Sequence, residues 1–189
     1  LGADFEHRNE VSDEAIRAMQ RAWTEDDVHF EGRHFTARGN TMHPRPAQRP
    51  HPPIWVGGNS KMAIRRAVEL GDGWLPIPAP AKMASFIHTA SITSLDDLRE
   101  RMAYAKSHAE KVGRTAPLDV CFVPFGLNMA RQDDLAPAAF RARLAELDAI
   151  GVSWVTLTLP PARTRAEYVD RLTDFAARLL CRRGPLRQR

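Results

Sequence analysis

Apolar residues along the chain follow two spacings, one typical of helices and one typical of buried strands. Apolar positions every three to four residues predict a first helix over residues 13–25, with Ser12 as its N-cap. Residues 28–35 alternate around a glycine and indicate a short hairpin or extended excursion. Five of the ten residues from 44 to 53 are proline, which excludes a helix there and indicates a stiff surface connection.

Four short apolar runs predict four strands, near residues 54–57, 74–77, 118–124 and 152–159. Helical patterns fall between and after them, over residues 61–70, 94–113 and 135–150, and from the predicted cap Thr164 onward. Residues 78–93 are predicted to be irregular. Strands that alternate with helices pair in parallel through right-handed crossovers, so the predicted fold class is α/β. Four such units form either a small open sheet or half of an eight-stranded barrel, and the pattern leaves both open.

Helix starts and core positions follow from the same pattern. Ser94 and Asp97 have capping-box spacing and are expected to begin their helix together. The tryptophans of the strands and one face of the last helix are expected in the core. The residues concerned are Trp55, Trp74 and Trp154 in the strands and Tyr168, Leu172, Phe175 and Leu179 in the helix.

Composition and charge narrow the function classes. The chain has 189 residues, of which 43% are hydrophobic and 26% charged, which is ordinary for a globular protein. The net charge of +4 comes from the tail, residues 181–189, which holds four arginines and no acid. Without the tail, 23 basic residues face 23 acidic ones, so nucleic acid is not an expected partner. No apolar run approaches the length of a membrane span, so no membrane partner is expected either.

Cysteine and histidine spacing give no sign of a disulfide framework or a metal site. Cys121 and Cys181 lie far apart without a C-x-x-C pattern, which favours a reduced, cytoplasmic protein. The seven histidines follow no metal-ligand spacing, so no metal is predicted.

The strongest candidate for chemistry is the run Gly57, Gly58, Asn59 and Ser60, where a predicted strand ends and a helix begins. Two glycines let the backbone approach a ligand, and the first turn of the helix adds unpaired N–H donors. Together they favour a phosphate or another anion. The alternative is a tight turn in which Ser or Asn only caps the helix.

Other candidates are weaker. Lys82 and His88 lie on the loop after the second strand, at the edge where ligands bind, and could contact a substrate. Asp72 precedes a glycine and is typical of an ordinary turn. No spacing supports a Ser-His-Asp or Cys-His set, so the catalytic residues are unknown.

Several motifs resemble the luciferase-like monooxygenase superfamily, and most closely its coenzyme F420-dependent (deazaflavin) oxidoreductases. These motifs are Pro44-x-Pro46, residues 52–60 (PPIWVGGNS), Arg65-Arg66-Ala67 and residues 71–74 (GDGW). The segment from Phe5 to Arg8, the run Val28-x-Phe30-x-Gly32, the pair Gly113-Arg114 and the strand at Gly151-Val152 are also similar. The resemblance extends over nearly the whole chain.

The resemblance implies a (βα)8 barrel of which residues 1–189 are the C-terminal half, with the N-terminal half missing. Gly57 and Gly58 would then lie against the cofactor phosphate, with Asn59 and Ser60 as helpers. The implied chemistry is hydride transfer with coenzyme F420, and the fragment alone is expected to be inactive. No position matches the family's residues beside the cofactor ring, so the resemblance adds no catalytic residue.

Two other functions stay open at this point. The same fold with FMN as its cofactor would be a monooxygenase, since reduced flavin can activate oxygen. A non-catalytic α/β module that binds a phosphorylated ligand is the second. The expected partners are a small-molecule substrate and, through exposed strand edges, a second copy of the chain in a homodimer.

Overall fold

The structure, a computed structural model, describes residues 5–126 and 136–180. The chain divides into two compact units, Leu1–Val120 and Cys121–Arg189. The first contains α1 (Arg8–Thr24), β1 (Val28–Glu31), β2 (Thr36–Asn40), β3 (Trp55–Gly57), α2 (Lys61–Leu70), β4 (Gly73–Leu75), α3 (Ala81–Phe86), α4 (Leu95–Lys111) and the start of β5 (Asp119–Phe122). The second contains the end of β5, α5 (Pro137–Ala149), β6 (Trp154–Val155), α6 (Arg165–Phe175) and a π-helical turn, Ala176–Leu180. The basic tail, residues 181–189, lies outside the described residues.

The first helix begins earlier than its sequence predicts. α1 starts at Arg8, and His7 precedes it without a side-chain cap. Ser12 is therefore inside the helix, where its hydroxyl donates to the carbonyl of Arg8 at 2.7 Å. The prediction of Ser12 as the N-cap is wrong because a serine can also bond to the preceding helical turn.

A hairpin, one of the two structures predicted for residues 28–35, is present, but its second strand begins after that range, at Thr36. β1 and β2 pair antiparallel, from Val28 opposite Asn40 to Glu31 opposite Thr36. Residues 41–54, which include the whole proline-rich run, contain no helix or strand.

All the other strands pair in parallel, which confirms the predicted α/β fold class. In the first unit, β3 pairs with β4 through Trp55–Gly73 and Gly57–Leu75, and β4 pairs with β5 through Gly73–Asp119 and Trp74–Val120. In the second unit, the last two residues of β5 pair with β6. β5 and β6 are shorter than predicted. The predicted ranges follow the apolar runs, which extend beyond the paired residues to Leu118 before β5 and to Leu159 after β6.

The core of the first unit lies between one face of β3 and β4 and the helices that cover it. α2 buries Ala63, Ile64, Ala67 and Val68, the face that its spacing predicts. Trp74 is fully buried, as predicted, whereas Trp55 is 37% exposed. Trp55 lies on the opposite strand face from buried Val56, because successive side chains of a strand point to opposite faces.

The second unit packs around two aromatic rings. Phe140 of α5 and Phe175 of α6 meet edge to face, with their ring centroids 5.8 Å apart. Three expected core residues, Trp154, Tyr168 and Leu172, are instead about half exposed. An apolar spacing marks one face of an element for burial, but it does not specify which element packs against that face. The side chain of Leu179 lies outside the described residues.

The strands of the first unit are joined where they begin, at what we call the amino edge. The N–H and the carboxylate of Asp72 both bond to Ile54, which precedes β3, at 2.7 Å each. The carbonyl of Asp72 accepts the N–H of Asp119, the first residue of β5, at 3.1 Å. Asp72 therefore bridges three strand starts instead of forming only the local turn that its sequence suggests.

Arg114 completes the amino edge. Its guanidinium donates to the carbonyls of Val68 and Gly71 at the end of α2, at 2.8 Å each. It also donates to the carbonyls of Ala116 and Pro117, which lead into β5. One side chain thus satisfies carbonyls at the end of a helix and fixes the approach of a strand.

Candidate functional site

The candidate site is the glycine turn, residues 57–60, which joins the carboxyl end of β3 to the start of α2. Gly57 is the last residue of β3 and pairs with Leu75 at the end of β4. Ser60 is the N-cap of α2. In parallel α/β folds, ligands bind at this edge of the strands, because the connecting loops and the helix N-termini meet there.

Gly58 is a glycine because the chain's own backbone requires one. Its φ is +109°, a conformation that residues with a side chain rarely adopt. A Cβ atom there would lie only 3.1 Å from the Cβ of Ala63. Its carbonyl accepts the indole N–H of Trp74 at 2.8 Å, and its N–H donates to the carbonyl of Leu75 at 3.3 Å. Gly58 is therefore explained by the local fold without any ligand.

Gly57 has no such explanation. It lies in regular strand pairing with Leu75, and φ is not positive there. Among the described residues, the nearest atom to a Cβ at this position would be the carbonyl oxygen of Leu75, at 4.0 Å. A glycine in a strand weakens it unless something has to come close to the backbone. The backbone at Gly57 is therefore uncrowded by the described residues, and another molecule can approach it there.

The start of α2 adds donors to this space. The Ser60 hydroxyl accepts the N–H of Ala63 at 3.2 Å, which confirms the serine cap. As in any α-helix, the first N–H groups, here including Lys61 and Met62, have no acceptor within the helix. The first turn of α2 contains no acidic residue, so no side-chain carboxylate of that turn offsets the helix dipole.

Asn59 is fully buried and uses its amide within the chain. The side-chain nitrogen donates to the carbonyls of Ile77 and Ala90, at 2.9 and 2.8 Å. The side-chain oxygen accepts the N–H of Ile77 at 3.0 Å, and the Asn59 N–H donates to the Thr89 hydroxyl at 2.8 Å. Asn59 therefore ties the glycine turn to the segment after β4, and its amide does not face an open ligand space.

The weaker candidates are placed differently. Lys82 and His88 are exposed on the segment after β4, which contains α3 where irregular chain was predicted. The His88 ring lies 5.8 Å from the ring of Phe5. Asp72 lies at the amino edge, away from the glycine turn. Sequence reasoning missed Ile77, Thr89 and Ala90 as partners of Asn59, because Ile77 and Ala90 bond through backbone atoms alone.

The described residues also contain side chains of metal-ligating types and an apolar cavity. No group of three or more His, Cys, Asp or Glu side chains converges there as a metal site would require. A cavity of about 390 Å³ between α1 and the β1–β2 hairpin is lined mainly by apolar residues such as Phe30 and Met42. No charged side chain lines this cavity, so it offers little to an anion.

No helix in the described part of the chain is long and apolar enough to cross a membrane.

These features define an α/β protein with a candidate anion site at the carboxyl end of a parallel strand. Residues 1–185 match the family described as luciferase-like monooxygenase. The chain belongs to this family, as its motifs predict, and the parallel strands of its described residues fit the TIM-barrel fold class.

Individual relatives agree with this assignment. The FMNH(2)-dependent dimethylsulfone monooxygenase of Pseudomonas putida is 32% identical over 117 residues, which is 60% of this chain and 29% of that protein. The monooxygenase RslO1 of Streptomyces bottropensis has a TM-score of 0.64 at 19% identity, over 94% of this chain and 62% of its own. DmoA of Hyphomicrobium sulfonivorans has a TM-score of 0.50 at 18% identity, over 77% and 33% of the two chains. The two structural likenesses show a shared fold, and this chain spans only part of each relative.

Proposed function

We propose that this protein is an oxidoreductase with a flavin or deazaflavin cofactor, and that the glycine turn holds the cofactor's phosphate. The observation that carries the proposal is the contrast between the two glycines. Gly58 is required by the local backbone, whereas Gly57 has room for a Cβ atom and lies four residues before the first residue of α2. Family membership makes a phosphate-bearing cofactor the natural occupant of that space.

The residues of the turn fit a phosphate group. Backbone N–H groups at the start of α2 can donate to phosphate oxygens, and the missing side chain at Gly57 lets those oxygens approach. The Ser60 hydroxyl accepts the Ala63 N–H and still has its own proton to donate. The task of this turn is to bind and orient the cofactor, while the cofactor ring, when bound, supplies the two-electron chemistry.

Sequence resemblance favours coenzyme F420 and hydride transfer as the specific activity. FMN and monooxygenation are the second candidate, which is favoured by the relative named as FMNH(2)-dependent. A phosphate at the glycine turn is common to both, so the proposed site does not depend on the choice between them.

The test is to express the complete gene and identify the cofactor that copurifies by absorbance and mass. A bound deazaflavin would establish the F420 function, and a bound flavin would establish the FMN function. If the folded protein copurifies with neither, it should be titrated with FMN and with riboflavin, which lacks the phosphate. Equal affinity for the two would contradict a cofactor phosphate at Gly57. Binding of neither these flavins nor coenzyme F420 would favour the non-catalytic module.

A further inference from the structure

The segment between β4 and α4, residues 77–92, is held as a closed loop that we call the excursion. Its two ends meet in a short antiparallel bridge, in which Ala79 and Ile92 exchange hydrogen bonds of 2.9 and 3.1 Å. The Ser91 hydroxyl adds a bond to the carbonyl of Ala79 at 2.8 Å. These contacts close the base of the excursion, but they do not fix it against the glycine turn.

Asn59 supplies that connection. Its amide reaches Ile77 at the beginning of the excursion and Ala90 near its end, and its N–H reaches Thr89. An asparagine suits this position because two carbonyls require N–H donors and one N–H requires an acceptor. Aspartate would have no donors and would set a carboxylate against two carbonyl oxygens in a buried place.

The excursion carries apolar side chains that the described chain leaves uncovered. Phe86 is 85% exposed, and Met83 and Ile87 are 43% and 40% exposed. These residues lie on or directly after α3, a few positions before Thr89. An exposed apolar group on an immobilised segment beside a phosphate site is suited to the ring portion of the same ligand.

We propose that Asn59 is a positioning residue that fixes the excursion against the glycine turn, so that the phosphate and the ring of one ligand are held together. The excursion forms the ring side of the site, and Asn59 acts through it without touching the ligand. This inference rests on the proposed function, because it takes the phosphate to lie at Gly57.

The experiment compares Asn59→Asp with two other variants in the protein expressed from the complete gene. Thr89→Val removes only the hydroxyl that accepts the Asn59 N–H, and it provides a milder test if Asn59→Asp does not fold. Ser91→Ala is the matched control, since it removes a bond at the base of the excursion and leaves Asn59 intact. Each variant is titrated with FMN and with riboflavin, and its thermal stability and the hydrogen exchange of residues 77–92 are measured.

We expect Asn59→Asp to weaken FMN and riboflavin binding by a similar factor, about 10-fold or more per folded molecule. The ratio of the two affinities should stay within about two-fold of wild type, because the backbone donors for the phosphate remain. Exchange across residues 77–92 should accelerate. Thr89→Val should show the same changes at smaller size, and Ser91→Ala should leave both affinities nearly unchanged.

Three results would overturn the inference. Loss of FMN binding alone would mean that Asn59 contacts the phosphate directly. Lower stability with unchanged affinity per folded molecule would make Asn59 only a structural residue. Unchanged exchange over residues 77–92 would show that Asn59 does not hold the excursion. A wild-type protein that neither prefers FMN over riboflavin nor binds coenzyme F420 would instead refute the proposed function. The exchange measurement, which needs no ligand, would still decide whether Asn59 holds the excursion.

Discussion

The two ends of the strands in the first unit are built in opposite ways. At the amino edge, Asp72 and Arg114 bond to backbone groups of three strand starts and the end of α2. At the carboxyl edge, β3 ends at an exposed glycine whose missing side chain leaves open space. The same strands therefore have one edge closed by the chain's own hydrogen bonds and one edge available to a ligand.

A second contrast lies within the carboxyl edge, between two helix N-termini. α4 begins with a complete capping box, in which Ser94 accepts the Asp97 N–H and Asp97 accepts the Ser94 N–H. α2 has a serine cap but no acidic residue in its first turn. The Asp97 carboxylate is thus an anion at the N-terminus of α4, whereas the first turn of α2 has no side-chain carboxylate that would interact with its helix dipole. Open edges and uncompensated helix ends reduce stability, and their occurrence together at Gly57–Ser60 fits a binding site better than a structural turn.

Arg114→Ala should produce the largest effect, and it should affect stability alone. The variant loses its bonds to the carbonyls of Val68, Gly71, Ala116 and Pro117, and we expect the free energy of unfolding to fall by about 2–4 kcal/mol. Urea denaturation measures the change, and FMN affinity per folded molecule should stay at the wild-type value. Arg141→Ala, an exposed position on α5, serves as the control. A loss of affinity per folded molecule would show that the two edges are not separate in function.

Gly57→Val should have the opposite effects from Arg114→Ala, because it should lower FMN affinity and leave stability nearly unchanged. The described residues leave room for a Cβ atom at this position, and valine favours strands, so stability should be unchanged or slightly higher. The side chain would occupy the proposed phosphate space, and we expect FMN affinity to fall by about 1–3 kcal/mol, or roughly 5- to 150-fold. Riboflavin affinity should change much less. Isothermal titration measures both ligands.

Two further variants, Gly58→Val and Arg38→Val, are the comparisons for Gly57→Val. Gly58→Val should lower stability through its positive φ and its contact with Ala63, whatever binds at the turn. Arg38→Val changes an exposed strand residue of β2 away from the turn and should leave both properties unchanged. If Gly57→Val keeps its affinity for FMN, the glycine turn is not the phosphate site.

Met62→Glu should have a smaller effect, because it adds a charge without filling the open space. Met62 is 51% exposed in the first turn of α2, where a carboxylate would interact favourably with the helix N-terminus. The same carboxylate should repel a bound phosphate, and we expect FMN affinity to fall about two- to five-fold. Met62→Gln is the neutral control. Because the effect is electrostatic, it should shrink as the salt concentration rises, and a salt-independent loss would point to a steric cause.

Much of this arrangement could be predicted from the sequence where a short segment determines its own structure. The capping box at Ser94 and Asp97, the buried face of α2 and the parallel order of the strands all follow from local spacing, and the structure confirms them. The glycine turn could be found for the same reason, since a strand, two glycines and a helix are contiguous. Its ligand remains a proposal.

Contacts between distant parts of the chain could not be predicted in this way. Asn59 bonds to residues 18 and 31 positions away, and Arg114 bonds to residues 43 and 46 positions away. Nothing in their local spacing distinguishes these side chains from surface ones. The exposure of Trp55 and Tyr168 was missed for a related reason, because burial depends on what faces a residue as well as on its own hydrophobicity.

The capping box of α4 should make a small, pH-dependent contribution that α2 lacks. Hydrogen bonds to Asp97 from the Thr93 backbone, then from the Thr93 hydroxyl and from Ser94, hold the pKa of this carboxyl below its usual value. Because the folded pKa is lowered, the stabilisation is complete above the unfolded pKa of about 3.9 and is lost as the pH falls through the folded pKa. Urea midpoints at about pH 7 and pH 3 should therefore differ less in Asp97→Asn than in wild type. Glu100→Gln, an exposed change on the same helix, should keep the wild-type difference. If the urea midpoint of Asp97→Asn falls as much between pH 7 and pH 3 as that of wild type, the Asp97 carboxylate does not stabilise α4. The proposed contrast with α2 would then fail.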